Sequence, residues 1–450
     1  MSAQHFTHRV GALLVFSLPV LAISFLQSLT GSINVAYISR LLGPSALAAS
    51  SNANMVVFLI IGVLSGLPNA VMLQVGRATG AAHVEAVRKT FYETLLGFII
   101  LAVALSVVIW ILTPQIITML SVPTDSRAMA VSYLRVMCLS LFSMLVFLFV
   151  MMALRGLGET KGPFIWIAVA VLLDAAFTPL LILGFGGFPA LGIEGAGWSA
   201  FLSQTVALLG MLLQMHRRHP LLKGAADSLL IKGYSFNATV EMVKEGAPLC
   251  LQIFLGSVYS LILFALVNGF GSTSTAAYVV VTQVWNYIQM PALALASGTS
   301  VLVAQQLGRG DREEVWKITR AAVLCNVLIT SSLVIISVLS IEPIFAWLLP
   351  HDPEAQRIGV HLNAVAAGFI VLFSSSVVLF GVLRANKVYF VPLLTFSITQ
   401  FVICLPFIYL FRPALGVDAV WISIPISYVL PLLVALIYFK TGMASKRIQY

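Results

Sequence analysis

Residues 12–38 read ALLVFSLPVLAISFLQSLTGSINVAYI, a run without a single Asp, Glu, Lys, Arg or His. A helix of that length extends about 40 Å at about 1.5 Å per residue, which exceeds the roughly 30 Å of a bilayer's hydrocarbon core. The run is too long for a cleaved signal peptide and reads as a first membrane span. Eleven more such stretches follow, centred near Leu59, Ala102, Leu141, Asp174, Leu208, Ser260, Gln289, Thr330, Phe373, Phe401 and Leu430, while the first centres on Phe25. Of 450 residues, 60% are hydrophobic and only 9% charged, more apolar surface than a soluble core can hide. The expected fold class is therefore an all-α polytopic membrane protein with twelve transmembrane helices.

The net charge of +9 does not point to nucleic acid, because the basic residues are scattered singly between apolar runs. That scatter is a topology signal. With the N-terminus in the cytoplasm, all but Arg40, Arg127, Arg135, Arg357 and Arg412 of the 25 Lys and Arg fall inside, among them Lys223, Lys232, Lys446 and Arg447. Both termini are then cytoplasmic and the expected location is the inner, cytoplasmic membrane. Cys138, Cys250, Cys325 and Cys404 lie inside or at the edge of spans with no metal-ligand spacing, so neither a disulfide framework nor a metal centre is indicated.

The chain repeats itself. Pro19, Gly43 with Ala48 and Ala49, and Gln74-Val75-Gly76-Arg77 recur in order as Pro248, Gly271 with Ala276 and Ala277, and Gln306-Leu307-Gly308-Arg309. Leu154-Arg155 and Pro163 recur as Leu383-Arg384 and Pro392 at one common offset, and Leu191-Gly192-Ile193-Glu194 as Leu415-Gly416-Val417-Asp418. Five matches in order across six spans indicate a duplication. The expected organisation is an N-lobe at 1–215 (six spans), a polar and basic cytoplasmic linker at 216–240, and a C-lobe at 241–450 (six spans). Two such pseudo-symmetric six-helix bundles, related about the membrane normal, are expected to flank a cleft that opens to either side.

An ionisable residue at a span centre costs about 2.5–3.5 kcal/mol on insertion scales, so survivors there are functional candidates. Most acids sit in loops, and Glu93, Glu245 and Glu342 near span ends. Asp174 alone lies deep, ten residues from the outer end of span five. Thr178 follows one turn later on the same face, and Pro179 deprives the carbonyl of Ala175 of its donor. Asn34 in span one lies at a depth matching Thr178. Carboxylate, hydroxyl, carbonyl and amide oxygens suit a hard cation, and a proton needs only the carboxylate. The alternative is a structural acid hydrogen-bonded to its neighbours, with Asn34 holding spans together.

Gln27, Gln204, Gln252, Tyr259, Gln283, Trp285, Asn286 and Met290 are candidates for touching a substrate in the cleft, although such residues also serve packing and lipid contact. No phosphate-binding Gly-rich loop, paired zinc-ligand histidines or serine elbow occurs, which argues against an enzyme. Uphill transport would then draw on an ion gradient, with no cofactor beyond a coupling H+ or Na+.

Leu18-Pro19 with Gln27, Leu42-Gly43-Pro44-Ser45-Ala46-Leu47-Ala48-Ala49, Leu154-Arg155-Gly156-Leu157-Gly158-Glu159-Thr160-Lys161 and Leu191-Gly192-Ile193-Glu194-Gly195-Ala196 together resemble the multidrug and toxic compound extrusion (MATE) family. The resemblance covers essentially the whole chain. It implies a V-shaped pair of six-helix lobes exporting drugs or metabolites, often cationic, in exchange for protons or sodium ions. It also marks departures. Many prokaryotic members carry an aspartate where this chain has Asn34, a glycine where it has Ser39, and an asparagine and aspartate where it has Asp174 and Thr178. A threonine common in span six aligns with Ala200, next to Ser199, and a glutamate of another branch falls near Gly256.

The expected function is a secondary active exporter of small organic molecules, a monomer in lipid with no nucleic-acid partner. The rival readings are a lipid-linked substrate flippase of the same superfamily and a non-transporting membrane scaffold or sensor.

Overall fold

The computed structural model describes residues 3–120, 122–184, 189–218, 236–350 and 352–444. Among them, twelve helical segments are long and apolar enough to cross a bilayer. Spans one to six are Arg9–Leu42, Pro44–Gly80, Val84–Met119, Thr124–Gly156, Lys161–Leu183 and Ile193–Arg217. Spans seven to twelve are Phe236–Asn268, Ser272–Arg309, Arg312–Leu348, Pro353–Ala385, Phe390–Leu415 and Asp418–Thr441. Each of the twelve expected centres falls within its own span. Lys223, Lys232, Lys446, Arg447 and most of the 216–240 linker lie outside the described residues.

Local chemistry sets the breaks between spans. Gly43 and Gly271 take φ of 85° and 105°, a region that costs other residues strain, and each hands one helix over to the next. Span nine starts where the Asp311 carboxylate accepts the Glu314 N–H at 2.9 Å, and span ten where Asp352 accepts from Ala355 at 2.9 Å. Three spans are not continuous α-helix: span two is interrupted at Ser65, span ten carries a 3-10 turn at Ala367–Phe369, and span eleven a π-helical segment at Ile398–Cys404.

By contact the chain falls into two compact units, one of Pro19–Cys250 and the other of Met1–Leu18 with Leu251–Tyr450. The chain therefore passes between units inside spans one and seven rather than in a loop, close to the repeated prolines Pro19 and Pro248. Each unit has its own apolar core, the first around residues such as Phe98, Phe149 and Leu145, the second around Val267, Trp285 and Trp421. Large apolar side chains such as Leu172, Leu328 and Leu410 are left outside, which matches lipid as the surrounding solvent.

Within the first unit, spans two and seven meet backbone to backbone. A Cβ on Gly66 would come within 2.6 Å of the Cys250 nitrogen, and one on Gly246 within 2.8 Å of the Leu67 Cα. Beside that crossing the Arg77 guanidinium donates to both Glu245 oxygens, at 3.0 and 2.7 Å.

Glu93, nine residues beyond the start of span three at Val84, is 4% exposed, with Thr239 of span seven donating to its carbonyl at 3.1 Å. Span three has 36 residues and reaches about 54 Å, so its ends overshoot the hydrocarbon core of a bilayer.

Candidate cation site

Span five begins where the Glu159 carboxylate accepts the Gly162 N–H at 2.9 Å, and it ends at Gly184 in the left-handed conformation, φ 76°. Between these points Asp174 is 4% exposed and Thr178 fully buried. Span six lies against span five with little intervening side chain, because a Cβ on Gly195 would come within 2.6 Å of the Leu181 carbonyl group. Ser199, one turn beyond Gly195 on the same face, is thereby brought to Asp174.

The result is a closed polar knot in the first unit. Asn34 Nδ2 donates to Asp174 Oδ2 at 2.8 Å, and Ser199 Oγ donates to Oδ1 at 2.7 Å. Thr178 Oγ1 lies 3.0 Å from Ser199 Oγ, 3.3 Å from Asn34 Oδ1 and 3.4 Å from Asp174 Oδ1. Every partner of the carboxylate is electrically neutral. Such a group is ready either for a proton or for a small cation, because taking a charge from water favours whichever ion neutralises it. For a cation, Asp174 Oδ1 and Oδ2, Asn34 Oδ1, Thr178 Oγ1 and Ser199 Oγ are five oxygens in reach of one another once the hydroxyls turn their protons outward.

The structure brings together Asp174, Asn34 and Thr178 and adds Ser199. Its signal in the sequence was the Gly195/Ser199 pair, four apart at the outer start of span six. The main-chain oxygen is a second difference. The expectation was the carbonyl of Ala175, which is half-buried, but the carbonyl that the knot engages is that of Asp174 itself, 3.1 Å from Ser199 Oγ. The reason is orientation: span six approaches the face that carries residues 174 and 178.

The substrate candidates do not form one cluster. In the first unit Gln27 is exposed and Gln204 half-buried. In the second, Tyr259 and Trp285 are core residues at 5% and 3% exposure, and Trp285 Nε1 donates to Asn363 at 2.9 Å. Gln252 and Met290 are half-buried and Asn286 is exposed. Gln283 lines a groove of about 650 Å³ between spans eight and nine, beside Tyr287 and Ser340.

The MatE family's sequence profile matches residues 19–180 and again 248–410, so the two halves match it separately. The chain is 27% identical over 437 residues to the probable multidrug resistance protein YoeA of Bacillus subtilis, covering 96% of this chain and 94% of that one. It is 24% identical over 347 residues to an FAD transporter of Shewanella oneidensis, covering 76% and 75%. Its fold matches a MATE transporter of Vibrio cholerae, VcmN, solved as an aspartate-to-asparagine variant, with a TM-score of 0.89 at 18% identity over 98% of this chain and 99% of that one. Repeated halves, twelve apolar spans and a profile matched twice make this integral membrane protein a member of the MatE family of multidrug efflux transporters.

Proposed function

We propose that the protein is a secondary active exporter that moves small organic molecules, often cationic drugs or metabolites, out of the cell in exchange for H+ or Na+ by alternating access. The observation that carries this reading is the Asp174 knot, a buried carboxylate held only by neutral groups from spans one, five and six. A structural acid is usually spent on a cationic partner, whereas this one has none among its hydrogen bonds. Binding of an ion there would rearrange the donors of three spans at once, which gives the ion a differential affinity for the states of the unit. The reading includes no cofactor, no catalytic activity and no nucleic-acid partner. It places a monomer in the inner membrane with both termini in the cytoplasm.

The FAD transporter among the relatives widens the panel of substrates to dinucleotides. The test is efflux from proteoliposomes of several cationic dyes and of FAD, with an imposed pH gradient or sodium gradient in separate runs. Gradient-driven efflux that Asp174→Asn abolishes is the expected result. No flux with either gradient for any compound would favour the flippase or scaffold.

A further inference from the structure

The second unit contains a polar cluster of its own, on spans nine and ten. Asn326, Thr330, Ser374 and Ser375 are all 4% exposed or less. Thr330 is eighteen residues into a span of 37, which places the cluster near the middle of the helix. The four groups are loosely joined. Asn326 Nδ2 lies 3.1 Å from Ser374 Oγ and 3.3 Å from Ser375 Oγ, Thr330 Oγ1 lies 3.5 Å from Asn326 Oδ1, and Ser374 Oγ lies 3.4 Å from Thr330 Oγ1. Ordinary O–H···O bonds are about 2.5–3.0 Å, so the Thr330 contacts are poor as bonds.

The two serines also point their protons elsewhere. Ser375 and Ser374 donate to the Val371 carbonyl at 2.7 and 3.1 Å, which leaves each oxygen one lone pair beyond the one that accepts from the Asn326 amide. A rotation of the Asn326 amide would place its oxygen beside them. Four neutral oxygens would then face one point.

Packing does not require this polarity. Spans three and nine start from caps of the same shape, His83 with φ −87° and ψ 84° and Asp311 with φ −87° and ψ 82°. Counting from those caps, Phe98 and Ala102 stand where the second half has Asn326 and Thr330. By the offset of Leu154 and Leu383, Leu145 and Val146 stand where it has Ser374 and Ser375. All four counterparts are buried and apolar, with the Phe98 ring 5.2 Å from Phe149. The same helix pair therefore packs well without a polar group.

A second, independent feature lies next to the cluster. The 3-10 turn Ala367–Phe369 shifts the ladder of span ten, so that the Ile370 N–H bonds the Ala367 carbonyl instead of that of Ala366. Interrupted spans are where membrane transporters place ion sites, because the break lets adjacent side chains reorient around a ligand.

We propose that Asn326, Thr330, Ser374 and Ser375 form a binding site for a hard monovalent cation, Na+, separate from the Asp174 knot. The oxygens are hard donors, which excludes soft metals. No acid is among them, so a proton finds no base and a divalent ion would carry too much uncompensated charge into lipid.

The test is saturable binding of radiolabelled sodium to the purified full chain carrying Asp174→Asn, which removes the first site's carboxylate. Binding is expected to persist, to weaken at least tenfold with Thr330→Val and with Ser375→Ala, and to resist displacement by an equal concentration of K+. Ser332→Ala, whose hydroxyl bonds only its own helix on the exposed side of span nine, should leave binding unchanged. Elution as a single monodisperse species by size exclusion qualifies each variant, and either of the two conservative changes suffices. Absent binding in Asp174→Asn, binding that both variants leave intact, or equal displacement by K+ would each overturn the proposal. None of these outcomes bears on gradient-driven efflux, so the two readings fail separately.

Discussion

The halves agree in their turns and differ in their polar interiors. In the first unit, Asn34, Asp174, Thr178 and Ser199 close one knot across three spans. At the repeated positions the second half has Leu263, Ile403, Phe407 and Ser423, and Ile403 lies within a π-helical segment with no counterpart in span five. The reverse holds for Asn326, Thr330, Ser374 and Ser375, whose counterparts are Phe98, Ala102, Leu145 and Val146. Duplication preserved prolines such as Pro19 and Pro248 and the turn glycines Gly43 and Gly271, which set where the chain bends and turns. Polar groups inside spans are expensive, so each half retained only its own. Function is therefore to be sought where the halves diverge.

The largest effect expected from exchanging residues between the halves is that of Ile403→Asp. Leu263 and Phe407 give a new carboxylate no donor, and Ile403 is 38% exposed within an apolar span. Insertion should cost about 2.5–3.5 kcal/mol and add no ion binding, seen as a steep loss of folded protein on size exclusion. Well-folded protein with new sodium binding would break the comparison.

Next comes Asn34→Leu, which installs the second half's residue in the first. Asp174 Oδ2 would lose its 2.8 Å donor, and an unpaired buried group costs about 1–3 kcal/mol, so affinity for the coupling ion should change tenfold or more. Ion concentration for half-maximal efflux measures it. Ser199→Ala should do less, about 1 kcal/mol or a several-fold change, because the nearby Thr178 hydroxyl can turn to Asp174 Oδ1 in its place. Smallest on transport is Ser423→Ala: its hydroxyl bonds its own helix at the Val420 carbonyl, and the change should cost about 1 kcal/mol in thermal unfolding and leave efflux unaltered.

The spans were legible because a charge-free run of some twenty residues has few other uses, and the duplication because Pro, Gly and charged residues recur in order. Asp174 and Asn34 were legible from depth alone. Ser199 was not, since a serine inside a span usually bonds its own helix, and only the close approach at Gly195 directs this one outward. The placement of Trp285 and Tyr259 in the core was hidden for another reason: spans that are apolar all round carry no periodicity to tell a lipid-facing aromatic from a packed one. The 3-10 turn of span ten and the π-helical segment of span eleven arise from packing against neighbouring spans, which no local pattern announces.

The most direct test of the account is gradient-driven efflux by the reconstituted protein compared with its Asp174→Asn variant at equal, verified insertion. The account predicts efflux that follows either the proton or the sodium gradient in the unchanged protein and falls to the level of empty liposomes in the variant. Efflux that is gradient-driven and undiminished in Asp174→Asn would contradict it.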